Sequence, residues 1–348
     1  MKEMFSFGAI DTPMIETPQL KEVIVPNKEY VYYGTNNKYP EYLLDLYLNC
    51  STLTSIIDGT VDYISGNGIQ TESEFLKGKI NSKGETIEDL IRKISVDYQI
   101  FGGFAIQIIR NLNNEIIELV WLDFSKIRVN EDETKIFYSN EWGKTKAKAK
   151  VYPSFDQTSP SSIYYYKGDK TRGVYPVPTY NSAIMSIETQ IEIKKFHKAS
   201  LLNNFTSNLL INFNNGIPTE DEKKVLERKI SEKFTGGENA GKFLISWNED
   251  KDKQTEIVRL ESDNFDEKYQ ALNKSSINDI FTSFRATPML FGTPLENIGF
   301  SSQEYQDSFN LYNRVSVSPI QHLFERVINK ITGLSFTFVP FSLNQGGK

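Results

Sequence analysis

The run Gly236-Gly237-Glu238-Asn239-Ala240-Gly241-Lys242 fits the first seven positions of a phosphate-cradling loop. That chemistry needs Ser or Thr next, to hold Mg²⁺, with a strand before the loop and a helix after it. Here Phe243 follows and the order is reversed, helix before and strand after, so a glycine-rich helix-to-strand turn is the better reading. Lys194, Lys195, His197 and Lys198 form a basic helical turn. It could face DNA or a neighbour's acids, or simply complement the negative end of a helix. His197 has no Ser, Cys or Asp partner that would make it a base. Glu131-Asp132-Glu133 and Glu220-Asp221-Glu222 sit at a turn and at a helix start, where solvation and the helix dipole explain carboxylates. Lys144, Lys146, Lys148 and Lys150 alternate with small residues. They could meet phosphates, but a lysine-guarded edge strand is favoured. With two His and one Cys there is no His/Cys metal cluster to propose. We therefore expect no catalytic residue, no metal, no cofactor and no enzyme.

The remaining signal is physical rather than catalytic. Between two helical stretches lies Thr287-Pro288-Met289-Leu290-Phe291-Gly292-Thr293-Pro294-Leu295-Glu296-Asn297-Ile298-Gly299-Phe300. Connecting loops run over the surface, and one so apolar must press on its own core or on a partner.

Three groups of elements would have to position these features. Residues 1–30 read as an arm punctuated by Pro13, Pro18 and Pro26. Helices are predicted over 41–49 and 52–64, and a third behind Thr86, with Glu88 and Asp89 in its first turn and Gly102-Gly103 at its end. The runs 104–110, 115–121 and 135–138 are β-rich, with Asn113-Asn114 suited to the first hairpin. A helix over 182–205 carries apolar residues on two sides, which suggests burial between neighbours. An insert over 207–262 holds the apolar run Leu209-Leu210-Ile211, a charged helix opening at Pro218-Thr219, and strands 243–247 and 256–260 around an acidic-basic tip. A helix over 265–286 leads into the apolar break. A last helix over 302–331 should bend at Pro319, followed by a strand at 335–339.

The totals allow one large or two ordinary domains with a real core. Charged residues make up 24% and hydrophobic residues 39%, which fits a folded chain. The 18 Tyr and 23 Phe favour large contact surfaces. The net charge of −6 argues against a protein that coats DNA by neutralising phosphates, but not against one that DNA slides past. A single cysteine, Cys50, excludes an internal disulfide. No apolar run approaches the roughly 18 residues of a membrane span, and the N-terminus lacks a secretory signal core. A cytosolic or cytosol-assembled protein without membrane contact is expected.

This order of elements resembles the portal proteins of tailed bacteriophages. The resemblance is carried by Tyr32-Tyr33-Gly34-Thr35-Asn36-Asn37-Lys38-Tyr39-Pro40, by Val96-Asp97-Tyr98-Gln99-Ile100-Phe101-Gly102-Gly103-Phe104-Ala105, and by Phe284-Arg285-Ala286-Thr287-Pro288-Met289-Leu290-Phe291-Gly292. Ser301-Ser302-Gln303-Glu304 and Ser318-Pro319-Ile320 continue it, so that it covers about 32–339. It implies an α+β portal-type fold: arm and wing over 1–180, stem helices over 181–206 and 264–287, a clip over 207–263, a tunnel loop over 288–301, and a long kinked helix with C-terminal wing or short crown over 302–348. It also implies a homo-oligomeric ring of about twelve copies at the capsid vertex of a virion, assembled in the host cytoplasm. The implied partners are the terminase large subunit, the major capsid protein or scaffold, a head-completion adaptor, and double-stranded DNA in the channel.

On this resemblance Pro288, Met289, Leu290, Phe291, Thr293, Leu295, Glu296, Asn297, Ile298 and Phe300 would line the channel. Trp247, Asn248, Glu249, Asp250, Lys251, Asp252 and Lys253 would lie where terminase and adaptor dock, and Lys194, Lys195 and Lys198 would be the basic stem residues. The competing readings are another ring-forming head-tail adaptor and a metal-dependent nucleic-acid enzyme. An adaptor would be a shorter chain, and the enzyme would need clustered acids around Mg²⁺.

Overall fold

A computed structural model describes residues 19–26, 28–142, 148–168, 171, 173–202, 209–213, 219–225, 228, 243–247, 265–292 and 302–341. Its elements, in order, begin with β1 (Glu22–Ile24), β2 (Val31–Tyr33), α1 (Tyr39–Asn49), α2 (Ser51–Ser65), β3 (Ile69–Thr71), α3 (Glu74–Lys77) and α4 (Ile87–Phe101). The strands β4 (Gly103–Arg110), β5 (Ile116–Leu122), β6 (Ile127–Val129), β7 (Lys135–Tyr138), β8 (Lys150–Pro153) and β9 (Ser161–Lys167) follow. Then come α5 (Ile184–Leu202), β10 (Leu209–Phe213), a helical stretch α6 at 220–225, β11 (Phe243–Trp247) and α7 (Phe265–Ser283). The chain closes with α8 (Ser302–Tyr312), α9 (Ser318–Thr332) and β12 (Phe336–Phe338). This is the mixed α+β class expected.

The chain divides into two compact units. One takes 189–274 and the other takes 17–188 with 275–348, so the boundaries fall inside α5 and α7. The larger unit holds the main core. Its central sheet runs β5-β4-β9, antiparallel throughout. Phe104, Ile106 and Ile108 alternate along β4 and point to one face, where they join Leu90, Ile91 and Ile94 of α4 and Phe324, Val327 and Ile328 of α9. Strand periodicity on one partner and helical spacing on the other bury both stripes together.

Local chemistry explains where α4 starts and stops. Thr86 accepts from the Asp89 amide at 3.3 Å while Asp89 Oδ2 accepts from the Thr86 amide at 2.8 Å, a reciprocal cap. That contact holds the Asp89 carboxyl below its ordinary range. At the other end Gly102 has φ 79° and its missing Cβ would lie 2.5 Å from the Val177 carbonyl oxygen. Only glycine meets both conditions. Asn114, at φ 65°, turns the β4–β5 hairpin as expected of Asn.

The sequence reading passed over three pairings. β9 is the third strand of the central sheet, beside β4. β12 closes antiparallel on β3, Phe336 opposite Thr71, and ties the last helix to the first helices. β6-β7-β8 form a second sheet with β8 at its edge and Lys150 exposed. Lys144 and Lys146 lie outside the described residues, and Lys148 precedes the strand.

Arg128 is the largest fully buried side chain among the described residues. Its guanidinium donates to the carbonyls of Ser125 (2.9 Å), Ile127 (2.7 Å) and Asn37 (2.7 Å) and to Asn37 Oδ1, and it lies 5.0 Å over the Trp142 ring. Those bonds fasten the segment before α1 to β6. Asp97 is buried as well, accepting from Trp121 Nε1 at 2.7 Å and the Phe124 amide at 3.4 Å. Burial raises its carboxyl well above the ordinary value, against the pull of those two donors.

Candidate functional site

The apolar break begins as an anchor. Thr287 is extended, Pro288–Phe291 forms a 3₁₀ turn, and Gly292 closes it at φ 74°. Proline at the start of such a turn lacks only an amide that has no partner there anyway. Leu290 is buried in the main core. Phe291 sets its ring against Tyr63, Phe281 and Tyr312, at centroid distances of 6.0, 6.0 and 5.6 Å. Gly59 of α2 admits that ring, since a Cβ there would approach it to 2.7 Å. Tyr63 Oη donates to the Leu290 carbonyl at 3.0 Å and Ser55 Oγ to the Phe291 carbonyl at 3.4 Å.

Of the two things such a break could press on, residues 290 and 291 press on the chain's own core. Leu290 is thereby corrected as a channel-lining candidate, because burial of an isobutyl group in the core outweighs its exposure at a bore. Pro288 and Met289 are half-buried. Thr293, Leu295, Glu296, Asn297, Ile298 and Phe300 lie outside the described residues.

The final helix is not one helix bent at a proline. Asn313–Val317 between α8 and α9 is a π-helical turn, with the Ser318 amide bonding to the Asn313 carbonyl. Pro319 cannot donate, and in an α-helix its ring would strike the carbonyl four residues back. The wider turn absorbs both problems.

In the smaller unit β10 and β11 pair in parallel, Leu209 opposite Phe243 and Phe213 opposite Trp247. A parallel pair needs a crossover, which the chain between them, including α6, supplies. The sequence predicts strands at 243–247 and 256–260 joined by an acidic-basic tip, and only an apolar run at 209–211. The segment 256–260 is outside the described residues, as are Asn248, Glu249, Asp250, Lys251, Asp252 and Lys253, and the glycine-rich run 236–242. Trp247 is the last residue of β11. On α5, Lys194, Lys195 and Lys198 are exposed, and Lys195 pairs with Glu192 at 2.8 Å. Phe196 stacks on Tyr269 of α7 at 5.1 Å, with His197 edge-on to the same ring.

Among the described residues no three His, Cys, Asp or Glu side chains gather as a metal site would require. His322 pairs with Glu325 at 2.9 Å. No described helix is long and apolar enough to cross a membrane.

The fold is shared with solved assemblies. A chain in the virion of a native gene transfer agent particle matches with a TM-score of 0.55 at 14% identity, covering 87% of this chain and 84% of that one. A chain in the neck of the native particle, computed with C12 symmetry, matches at 0.54 and 13%, covering 94% and 88%. The crystal structure of an HK97-family phage portal protein from Corynebacterium diphtheriae matches at 0.53 and 8%, covering 87% and 98%. No curated protein matches the sequence. At these identities the likeness is one of fold. The family model described as phage portal protein, however, matches residues 70–345, most of the length of the chain. The chain belongs to the phage portal protein family.

Proposed function

We propose that the chain is one subunit of a closed homo-oligomeric ring at a capsid vertex, through which double-stranded DNA is packaged and later ejected. The observation that carries this reading is the family match over 70–345. The C12 symmetry used for the matched neck of the gene transfer agent particle suggests a twelvefold ring. In this reading 207–263 form the clip that meets the terminase motor and then a head-completion adaptor, with Trp247 and residues 248–253 as docking candidates. Residues 293–301 line the bore, and the buried Leu290 with the half-buried Phe291 anchors them to the subunit core. Lys194, Lys195 and Lys198 face the stem surface. A net charge of −6 suits a channel that must not grip, because each phosphate contact would add a salt-dependent hold. No catalytic step is assigned.

Native mass measurement and negative-stain microscopy of the purified chain test the ring. We expect a closed ring with a hole that admits duplex DNA. A strictly monomeric protein in the presence of capsid and scaffold partners sinks the reading, and so does chelator-sensitive cleavage of nucleic acid by the pure protein. Deleting 295–299 should leave rings intact and abolish DNA retention; normal retention would remove the loop from the mechanism.

A further inference from the structure

At the foot of α7 the backbone takes a conformation that its residue does not favour. The Ala286 amide bonds to the Phe281 carbonyl and the Arg285 amide to the Thr282 carbonyl, each at 3.0 Å. This pair is the Schellman ending of a helix, which places residue 285 in the left-handed region, and Arg285 has φ 54°. At the ends of α4 and α9 the same role falls to Gly102 and Gly333, at φ 79° and 72°. Arginine at such a position strains the backbone relative to glycine. A strained residue that persists points to a use for its side chain. The Arg285 side chain is exposed and makes no ion pair among the described residues.

Arg285 stands on the wall of a groove of about 770 Å³ between the start of α5, the end of α7 and the π turn. One wall is rich in hydroxyls, three of which already donate within the chain. Ser186 Oγ donates to Asp279 Oδ2 at 2.9 Å, Thr282 Oγ1 to the Asn278 carbonyl at 2.8 Å, and Ser283 Oγ to the Ile280 carbonyl at 2.7 Å. Arg285 is the one cation among the described lining residues. The π turn and the start of α9 add Val315, Pro319 and Ile320, with Ser316 among them. Large apolar side chains continue beyond them: Leu311 is 64% exposed one turn before Val315, and Met185, beside Ser186, is 78% exposed.

We propose that this groove receives a carboxylate-bearing segment of a second copy of the chain, with Arg285 as its anchor. The inference rests on the ring reading above and names the residue that closes one subunit onto the next. A small ligand could fill the groove but would leave Leu311 and Met185 in water, whereas a protein surface covers them too. Exposed apolar side chains beside an arginine are the composition of such a contact. A phosphate backbone is a poorer occupant, since tracking it takes several cations and this groove has one cation beside Asp279. A second copy supplies the complement, because the chain carries 45 Asp and Glu against 39 Lys and Arg. In a heterologous ring each copy offers one face and receives the other.

The test is Arg285→Gly, which gives the backbone the residue it prefers. The variant subunit should melt above the wild type, so loss of assembly cannot be laid to misfolding. The concentration for half-assembly, read by sedimentation velocity, should rise at least tenfold, and Arg285→Lys should recover part of it. A second readout is Val315→Cys, since the natural Cys50 is buried. Maleimide should label position 315 at least tenfold more slowly in rings than in subunits. Arg285→Gly rings forming at the wild-type concentration, or equal labelling in both states, overturns the proposal. A defect in DNA retention by rings that assemble normally also overturns it, in favour of a nucleic-acid contact. Wild type that forms no ring refutes the ring reading itself, and the inference falls with it.

Discussion

Arg128 and Arg285 lie in the same compact unit and are held in opposite ways. Arg128 is sealed behind β6, its donors shared among three backbone carbonyls and Asn37, with Trp142 stacked on its face. Arg285 sits on an open groove, in a strained turn, and makes no ion pair among the described residues. The first region is complete within one chain. A buried cation survives only when its own fold satisfies it. The second region has the components of a contact without the partner, and its strain is supported by a fold that gains nothing from it. The difference separates what this chain needs in order to fold from what it holds ready for assembly.

The largest effect should come from breaking the completed region. Arg128→Met leaves the Asn37, Ser125 and Ile127 carbonyls without their donors, and we expect a loss of about 3–5 kcal/mol in urea unfolding of the subunit. A loss under about 1 kcal/mol would show that water replaces the guanidinium and that the region is not closed after all. Next, Leu290→Ala should cost about 2–5 kcal/mol, because it opens a cavity in the main core. Its counterpart at the groove, Leu311→Ser, should change subunit stability by no more than about 0.5 kcal/mol and show its effect in ring assembly. Similar costs at the two positions would erase the distinction between core and assembly surface.

A smaller effect depends on pH. Burial raises the carboxyl of Asp97 in the folded chain above its unfolded value. The folded state therefore holds that proton more tightly. This contribution to stability is complete below the unfolded value and is lost as pH rises through the folded one. Asp97→Asn keeps an acceptor for Trp121 and does not ionise. Its stability relative to wild type should be near zero in acid and rise with pH. A difference independent of pH would mean that Asp97 does not carry the titration.

Much of the local structure was legible because its causes are local. The cap at Thr86 and Asp89, the stop at Gly102 and the turn at Asn114 each depend on residues within a few positions. The helices that flank the insert could be read for the same reason. The edge strand signalled by alternating lysines was legible only at Lys150. Other features depend on distant partners. That β12 pairs with β3, or β9 with β4, cannot be read from either strand, since an apolar or tyrosine-rich run fits many neighbours. The π turn before Pro319 also escaped notice, because a proline signals a break without saying which geometry repairs it.

The candidate site divides along the same line. The sequence alone marked the apolar break, limited the chemistry by its two histidines and single cysteine, and carried the family pattern from Tyr32 to the last helix. Those are matters of composition, short-range order and spacing. Only the tertiary structure assigned Leu290 and Phe291 to the core, through Gly59 and Tyr63 on a helix far away in sequence. It alone placed Arg285 in a left-handed turn on a groove built from segments far apart in sequence. Burial and open space are properties of chains brought together, and no window of residues contains them.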